Sequence, residues 1–306
     1  RGTVRHMKGI VPSLNTPFDV DGALDHVSLR RLVNHTVESG CSGMLCLAVA
    51  GEYTTLNSEE KIAFIETISQ TNAGRIPFIV SVTASKLQSS IELARTATLL
   101  GAAGVCVQLP TVLDRLSKLD FLKALVSEGP SLLMVQDLDW TGGGMPIEEI
   151  QFLFDQVEAF SWLKIETQNA GQKYSTVTDA TQGALNVCGG WAVTQLMDAL
   201  ARGIHTFIPT GLERVYVGIY EAYKNENIGS AAALFERLLP VLEYSNQHID
   251  ISIRFFKELR KAEGLFDTNI CRTVADQYER IDENASKKAL NTALALMKNF
   301  EKIEPK

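Results

Sequence analysis

FSWLKIETQ, residues 160–168, is an apolar run interrupted by a lysine. Trp162, Leu163 and Ile165 around Lys164 read as a buried strand, where an ammonium group is costly. Side chains alternate along a strand, so Lys164 and Glu166 share one face. Burial lowers a lysine pKa, and the free amine that results is a good nucleophile for a ketone. The iminium formed is an electron sink for breaking a neighbouring carbon–carbon or carbon–oxygen bond. A structural Lys164–Glu166 ion pair, or a lysine reaching water at a strand end, fits the local residues equally well.

The sequence on either side shows what kind of strand this is. Short apolar runs at 9–14, 43–49, 77–82, 104–109 and 132–136 precede it, and runs at 184–188 and 205–209 follow. Each is succeeded by an amphipathic stretch: 25–39, 58–70, 87–100, 118–127, 146–158, 172–181, 192–202 and 213–225. Ser58 is a plausible N-cap, and Pro146 suits a first helical turn. Eight strand–helix units with continuously apolar strands predict an α/β chain folded as a (β/α)8 TIM barrel. A doubly wound open sheet would bring a glycine-rich phosphate turn after its first strand, but that position reads LNTPFDVDG. The barrel is expected over 8–226, with a C-terminal helical extension over 227–306. Residues 1–7 read as an expression remnant and start.

Composition narrows the function. A hydrophobic fraction of 45%, a charged fraction of 21% and a net charge of −7 suit a soluble globular protein and disfavour a nucleic-acid partner. No apolar stretch is long enough to suggest a membrane span. Five cysteines without CxxC spacing read as reduced, buried thiols and a cytoplasmic address. The five histidines form no HxxxH or HxE pattern, so no metal site is expected, and GxSxG is absent.

In a barrel the chemistry sits at the carboxyl ends of the strands. Beyond the second strand, AVAGEYTTL offers Ala50 and Gly51, whose backbone N–H groups suit a carboxylate, followed by Glu52. Beyond the fifth, VQDLDWTGGG offers Gln136 and Asp137 to a polyol, on a loop that is either mobile or wrapped on a ligand. Beyond the seventh, VCGGW offers Gly190.

Taken in order, these residues resemble the dihydrodipicolinate synthase/N-acetylneuraminate lyase superfamily. The resemblance covers about 9–272: Thr16-Pro17-Phe18, Gly51-Glu52 with Leu56, the lysine of LKIET, Cys188-Gly189-Gly190, and Lys257, Gly264 and Arg272. It implies a class I lyase with no cofactor. Lys164 would form a Schiff base with a small 2-oxo acid such as pyruvate. Ala50 and Gly51 would hold the substrate carboxylate, with Glu52, Gln136 and Gly190 also at the substrate. A homo-oligomer, tetramer or dimer, is implied too.

The departures refine this expectation. Val49 and Ala50 stand where the family has hydroxyls. Val135 and Gln136 replace the usual Tyr-Asn, Val112 falls where a neighbouring subunit supplies a second tyrosine, and Trp140 replaces an arginine. With the phenol relay missing, Glu166 is the expected proton-transfer group. VQD with KIET resembles the branch containing L-2-keto-3-deoxyarabonate dehydratases, so the reaction expected is dehydration of a 2-oxo-3-deoxy sugar acid. The alternatives are a pyruvate-releasing aldolase and, less favoured, 4-hydroxy-tetrahydrodipicolinate synthesis or 2-oxo-acid binding without catalysis.

Overall fold

Eight parallel strands form one sheet in the order β1-β8-β7-β6-β5-β4-β3-β2. They are β1 (Gly9–Ile10), β2 (Met44–Cys46), β3 (Phe78–Ser81), β4 (Gly104–Gln108), β5 (Leu133–Asp139), β6 (Phe160–Thr167), β7 (Asn186–Gly189) and β8 (Thr206–Phe207). This computed structural model describes residues 7–190, 194–273 and 282–300. The first apolar run works in two pieces. Gly9 and Ile10 pair with β8, whereas Ser13 bridges Leu45 of β2 and the Leu14 N–H donates to the Leu45 carbonyl at 2.8 Å. Pro12, which has no N–H to give a ladder, lies at the break, and its carbonyl accepts from Leu45 at 2.9 Å. These contacts close the sheet into the (β/α)8 barrel expected from the eight repeated units.

The outer ring comprises α1 (His26–Glu38), α2 (Ser58–Asn72), α3 (Leu87–Leu99), α4 (Arg115–Ser127), α5 (Ile147–Gln156), α6 (Ala170–Ala180), α7 (Leu196–Ala201) and α8 (Glu213–Lys224). Then come α9 (Ile228–Ser245), α10 (Ile249–Ala262) and α11 (Glu283–Lys298). Two helix starts are capped differently from expectation. Asn57, not Ser58, caps α2: its side chain accepts from the Glu60 N–H while Glu60 accepts from the Asn57 N–H, a capping box. Pro146 is the N-cap of α5, one residue before its first turn. The helix expected over 192–202 is seen as α7, and residues 191–193 lie outside those described.

Two apolar layers follow from strand alternation. Leu45, Ile79, Cys106, Met134, Trp162 and Cys188 fill the barrel interior. Residues on the other face, among them Val80, Val105, Leu163 and Phe207, join the helices in the larger outer core. Lys164, Glu166 and Gln136 lie at the carboxyl end of this inner layer. Among the described residues, no helix is long and apolar enough to cross a membrane.

The C-terminal helices are joined to the barrel through buried charges on α10. Lys257 Nζ lies 2.7 Å from Glu52 Oε2, with both side chains fully buried. Arg260, also fully buried, bonds both carboxylate oxygens of Glu213 at the start of α8. Breaking either pair by removing one partner would strand a charge inside, at a cost of about 3–5 kcal/mol. Through these contacts α10 is fixed over the barrel mouth, where it presents Ile249, Ser252 and Phe256.

Candidate active site

Lys164 is the fifth residue of β6, paired in register with Gln136 of β5 and Cys188 of β7. All three therefore face the barrel interior near its carboxyl end. The Lys164 side chain is 6% exposed, and its amine lies 2.9 Å from Glu166 Oε1. The same oxygen accepts from Gln136 Nε2 at 2.9 Å. Gln136 thus holds the carboxylate in place beside the amine, a contact that the position of Gln136 on another strand hid from the sequence.

The charge state of Lys164 differs from the one burial alone would set. Burial acts to lower its pKa, but the Glu166 carboxylate outweighs that effect, and the amine is held above the ordinary lysine range. The Cys106 and Cys188 thiols lie near it, and burial raises both, Cys106 to about 12. They are neutral at physiological pH, which leaves Glu166 as the anion in contact. The resting pair is an ammonium carboxylate, so Lys164 must pass a proton on before it can attack a ketone. Glu166 is at the right distance to take it.

Gly190 makes room for this pair. A Cβ at that position would lie 2.7 Å from Glu166 Cγ and Cδ and 2.7 Å from Lys164 Cε. Gly190→Ala is therefore expected to push both reacting groups aside and lower kcat by roughly 10²-fold, the usual cost of a misplacement near 1 Å. Circular dichroism should be unchanged, and steady-state kinetics give the readout.

The turn after β2 is a short 3₁₀ segment, Val49–Gly51. The Gly51 N–H donates to Ala48 and the Glu52 N–H to Val49, at 3.1 and 3.0 Å. The N–H groups of Val49 and Ala50, at the open start of the turn, have no partner among the described residues and border the cavity above Lys164. Gly51 faces inward, where a Cβ would meet the Leu14 carbonyl at 3.1 Å, and the Thr16 hydroxyl holds its own carbonyl at 2.7 Å. Of the Ala50–Gly51 pair expected to hold a carboxylate, the Gly51 N–H is taken by the Ala48 carbonyl, whereas Ala50 lines the cavity together with Val49.

Glu52 is placed differently from the substrate contact expected of it. At φ 56° its backbone turns the side chain away from the cavity. One oxygen meets Lys257, and the other accepts the N–H groups of Arg272 and Thr273 at 2.9 and 2.8 Å. Glu52 therefore ties the β2 turn to α10 and to the segment around 272. Asp137 likewise points outward. It pairs with Lys173 of α6 and accepts from the Met145 N–H, while Asp139 accepts from Thr141, Gly142 and Gly144. Gly144, at φ 74°, passes so close to Asp137 that a Cβ would overlap it. The glycine triplet is folded around two carboxylates.

The mouth cavity has two lobes that share Trp140 and Glu166. The inner lobe, about 40 Å³, lies over Lys164 and carries the hydroxyls of Ser13, Thr210 and Ser252. The outer lobe, about 210 Å³, reaches across Gly190 to Tyr174 of α6. Sequence reasoning overlooked that phenol. Its hydroxyl lies on the outer side of β7, where a Cβ on Gly189 would come within 3.0 Å, and burial holds it well above the usual phenol range. Val112 is 90% exposed on the surface.

A buried amine and carboxylate are thus in contact at the carboxyl-end mouth of a closed (β/α)8 barrel, the end where barrel enzymes carry their chemistry. The chain belongs to the Dihydrodipicolinate synthetase family, whose sequence profile matches residues 6–293. Members of that family are lyases that work through a lysine Schiff base and without a cofactor. The chain is 28% identical over 258 residues to an L-2-keto-3-deoxyarabonate dehydratase from Azospirillum brasilense, covering 81% of this chain and 82% of that one. It is 23% identical to a probable 2-dehydro-3-deoxy-D-pentonate aldolase from Escherichia coli, covering 77% and 81%. A 4-hydroxy-tetrahydrodipicolinate synthase from Pelobacter propionicus is 39% identical, over only 34% of this chain and 35% of that one. In three dimensions the barrel superposes on N-acetylneuraminate lyase from Fusobacterium nucleatum with a TM-score of 0.81 at 21% identity, covering 96% and 99% of the two chains.

Proposed function

We propose that the chain is a Schiff-base dehydratase for a 2-oxo-3-deoxy sugar acid. The observation that carries this reading is the contact between Lys164 and Glu166: the group placed to move protons at the reacting carbons is a carboxylate. In the proposed sequence the substrate carboxylate lies on the Val49 and Ala50 N–H groups. Lys164 passes a proton to Glu166 and adds to the C2 carbonyl; Glu166 returns that proton to the carbinolamine hydroxyl, which departs as water, leaving the iminium and an ionised Glu166. The iminium acidifies C3, and Glu166 removes a C3 proton to give an enamine. Electrons returning from the enamine expel the C4 hydroxyl, which leaves as water with a proton from Glu166. A second water then hydrolyses the iminium, so that one water is lost overall.

Retro-aldol cleavage asks for something different, a base on the C4 hydroxyl. Dehydration differs in also needing a base at C3, and Glu166, 2.9 Å from the Lys164 amine, would stand beside C3 as well as within reach of the C4 oxygen. The rest of the mouth also suits a polyol. Ser13, Thr210 and Ser252 offer hydroxyls, and Trp140 brings no positive charge for an acidic second substrate. The relatives that align over most of the chain are named for pentonate-type acids, a dehydratase and an aldolase, which supports the substrate class.

Family members are typically oligomeric. Exposed Val112 and Leu116, beyond β4, support a homo-oligomer, dimer or tetramer. The five free cysteines are consistent with a cytoplasmic enzyme. A panel of 2-oxo-3-deoxy pentonates and hexonates with product identification tests the reaction. A single dehydrated acid, lighter than its substrate by one water, is expected; pyruvate with an aldehyde would make the chain an aldolase instead.

A further inference from the structure

Away from the mouth, three side chains converge from three helices. His35 comes from α1, Glu213 opens α8, and Glu263 follows the last turn of α10. His35 Nε2 lies 3.4 Å from Glu213 Oε2 and 3.7 Å from Glu263 Oε2, and the three ligand atoms all fall within 4.8 Å of one another. A tetrahedral ion with bonds of about 2.0–2.2 Å spaces its ligands roughly 3.3–3.6 Å apart. Two edges of such a figure are already nearly in place.

One atom of the cluster is left unsatisfied. Glu263 Oε2 is buried with no hydrogen-bond donor among the described residues, on a side chain only 4% exposed. Arg260 does not serve it. Its guanidinium is spent on both Glu213 oxygens, on Glu263 Oε1 at 3.5 Å and on Asn15 Oδ1 at 3.0 Å. Arg260 thus fixes the two carboxylates from behind while their remaining lone pairs face His35. Two carboxylates share one guanidinium in a buried place, with the His35 ring beside them, and an uncompensated charge there is costly. A proton could neutralise that charge but would satisfy only one pair of atoms. A cation can satisfy all three ligand atoms together.

We propose that His35, Glu213 and Glu263 bind a divalent transition-metal ion of the zinc class, with its fourth position open to the cleft between α1, α8, α10 and α11. One imidazole nitrogen with two carboxylate oxygens is a donor set that zinc, cobalt and manganese accept. The cleft, about 630 Å³, gives an entry path and space for a bound water. None of the three residues touches the Lys164 mouth. The ion would instead pin the end of α10, the helix that carries Lys257 against Glu52 and Ser252 and Phe256 over the cavity.

The test is calorimetric titration of chelator-treated full-length protein with Zn²⁺, Co²⁺ and Mn²⁺, read beside the Tm and the Co²⁺ absorption spectrum. One equivalent should bind, raise the Tm and give the intense visible bands of four-coordinate cobalt. Glu263→Gln and His35→Gln should each weaken binding at least tenfold while leaving pyruvate trapping at Lys164 unchanged. Glu263→Gln keeps the shape of the side chain, and if it misfolds, His35→Gln and the wild-type stoichiometry still decide. Equal binding by wild type and variants would place the ion elsewhere, on a thiol for example. No binding, or a Glu263→Gln protein that is more stable than wild type and indifferent to metal, would show that the cluster holds a proton. Either result overturns the proposal.

Discussion

Lys164→Ala is expected to lower turnover by a factor on the order of 10⁴–10⁶, the range seen when a covalent nucleophile is removed, and to end covalent capture of 2-oxo acids. The measurement is intact mass after borohydride reduction in the presence of pyruvate. Wild-type protein should gain one reduced adduct, on the peptide containing Lys164, and the variant none. The specificity of this expectation comes from where the other buried amines sit. Lys257 is committed to Glu52, Lys118 to Glu149 at 3.0 Å, and Lys173 to Asp137 and two carbonyls of the glycine loop. Lys164 alone among these four borders the cavity that Val49 and Ala50 line. An adduct that persists in Lys164→Ala, or maps to one of the other three, would refute the assignment. Because the substitution leaves Glu166 without its cation, Lys164→Met, which keeps the volume, separates lost chemistry from lost packing.

What could be read from the sequence, and what could not, divides along the range of the interactions. The barrel was legible because its signal is local and repeated: an apolar run, then a helical stretch, eight times. The shared face of Lys164 and Glu166 was legible because two residues on one strand must alternate together. Gly190 emerged from the same local reading, although only the structure shows that its missing Cβ makes space for both groups. Glu52 was misjudged because its partners, Lys257 and the backbone at 272–273, lie more than 200 positions away, and proximity to a strand end suggested a ligand contact instead. The direction of the Lys164 shift was misjudged for a related reason. Burial can be inferred from apolar neighbours, but the balance between burial and a carboxylate 2.9 Å away depends on distance. Tyr174 and the His35–Glu213–Glu263 cluster carry no sequence pattern at all. Each depends on how helices pack around the barrel.

Glu166→Gln is expected to separate imine formation from turnover. The amide can still fill the space and accept from Gln136, but it can no longer take a proton or hold a positive charge beside it. In the wild type, burial lowers the Lys164 pKa while the carboxylate more than restores it, so little free amine exists at neutral pH and trapping should increase as pH rises. Without the carboxylate, the effect of burial is left largely unopposed and the pKa falls. Borohydride trapping by Glu166→Gln should therefore reach its plateau at lower pH than in the wild type, a shift opposite to that expected if Glu166 were activating the amine simply by lowering its pKa. Turnover should move the other way, falling by about 10²–10⁴, because among the described residues no other carboxylate contacts the Lys164 amine to shuttle the C3 proton. Stopped reactions should accumulate the substrate imine. If turnover stays near normal, the proton must travel by another route, and Tyr174 across Gly189 is the first phenol to replace with phenylalanine. If trapping is lost together with turnover, Glu166 is needed to accept the proton that Lys164 gives up, and its work precedes elimination.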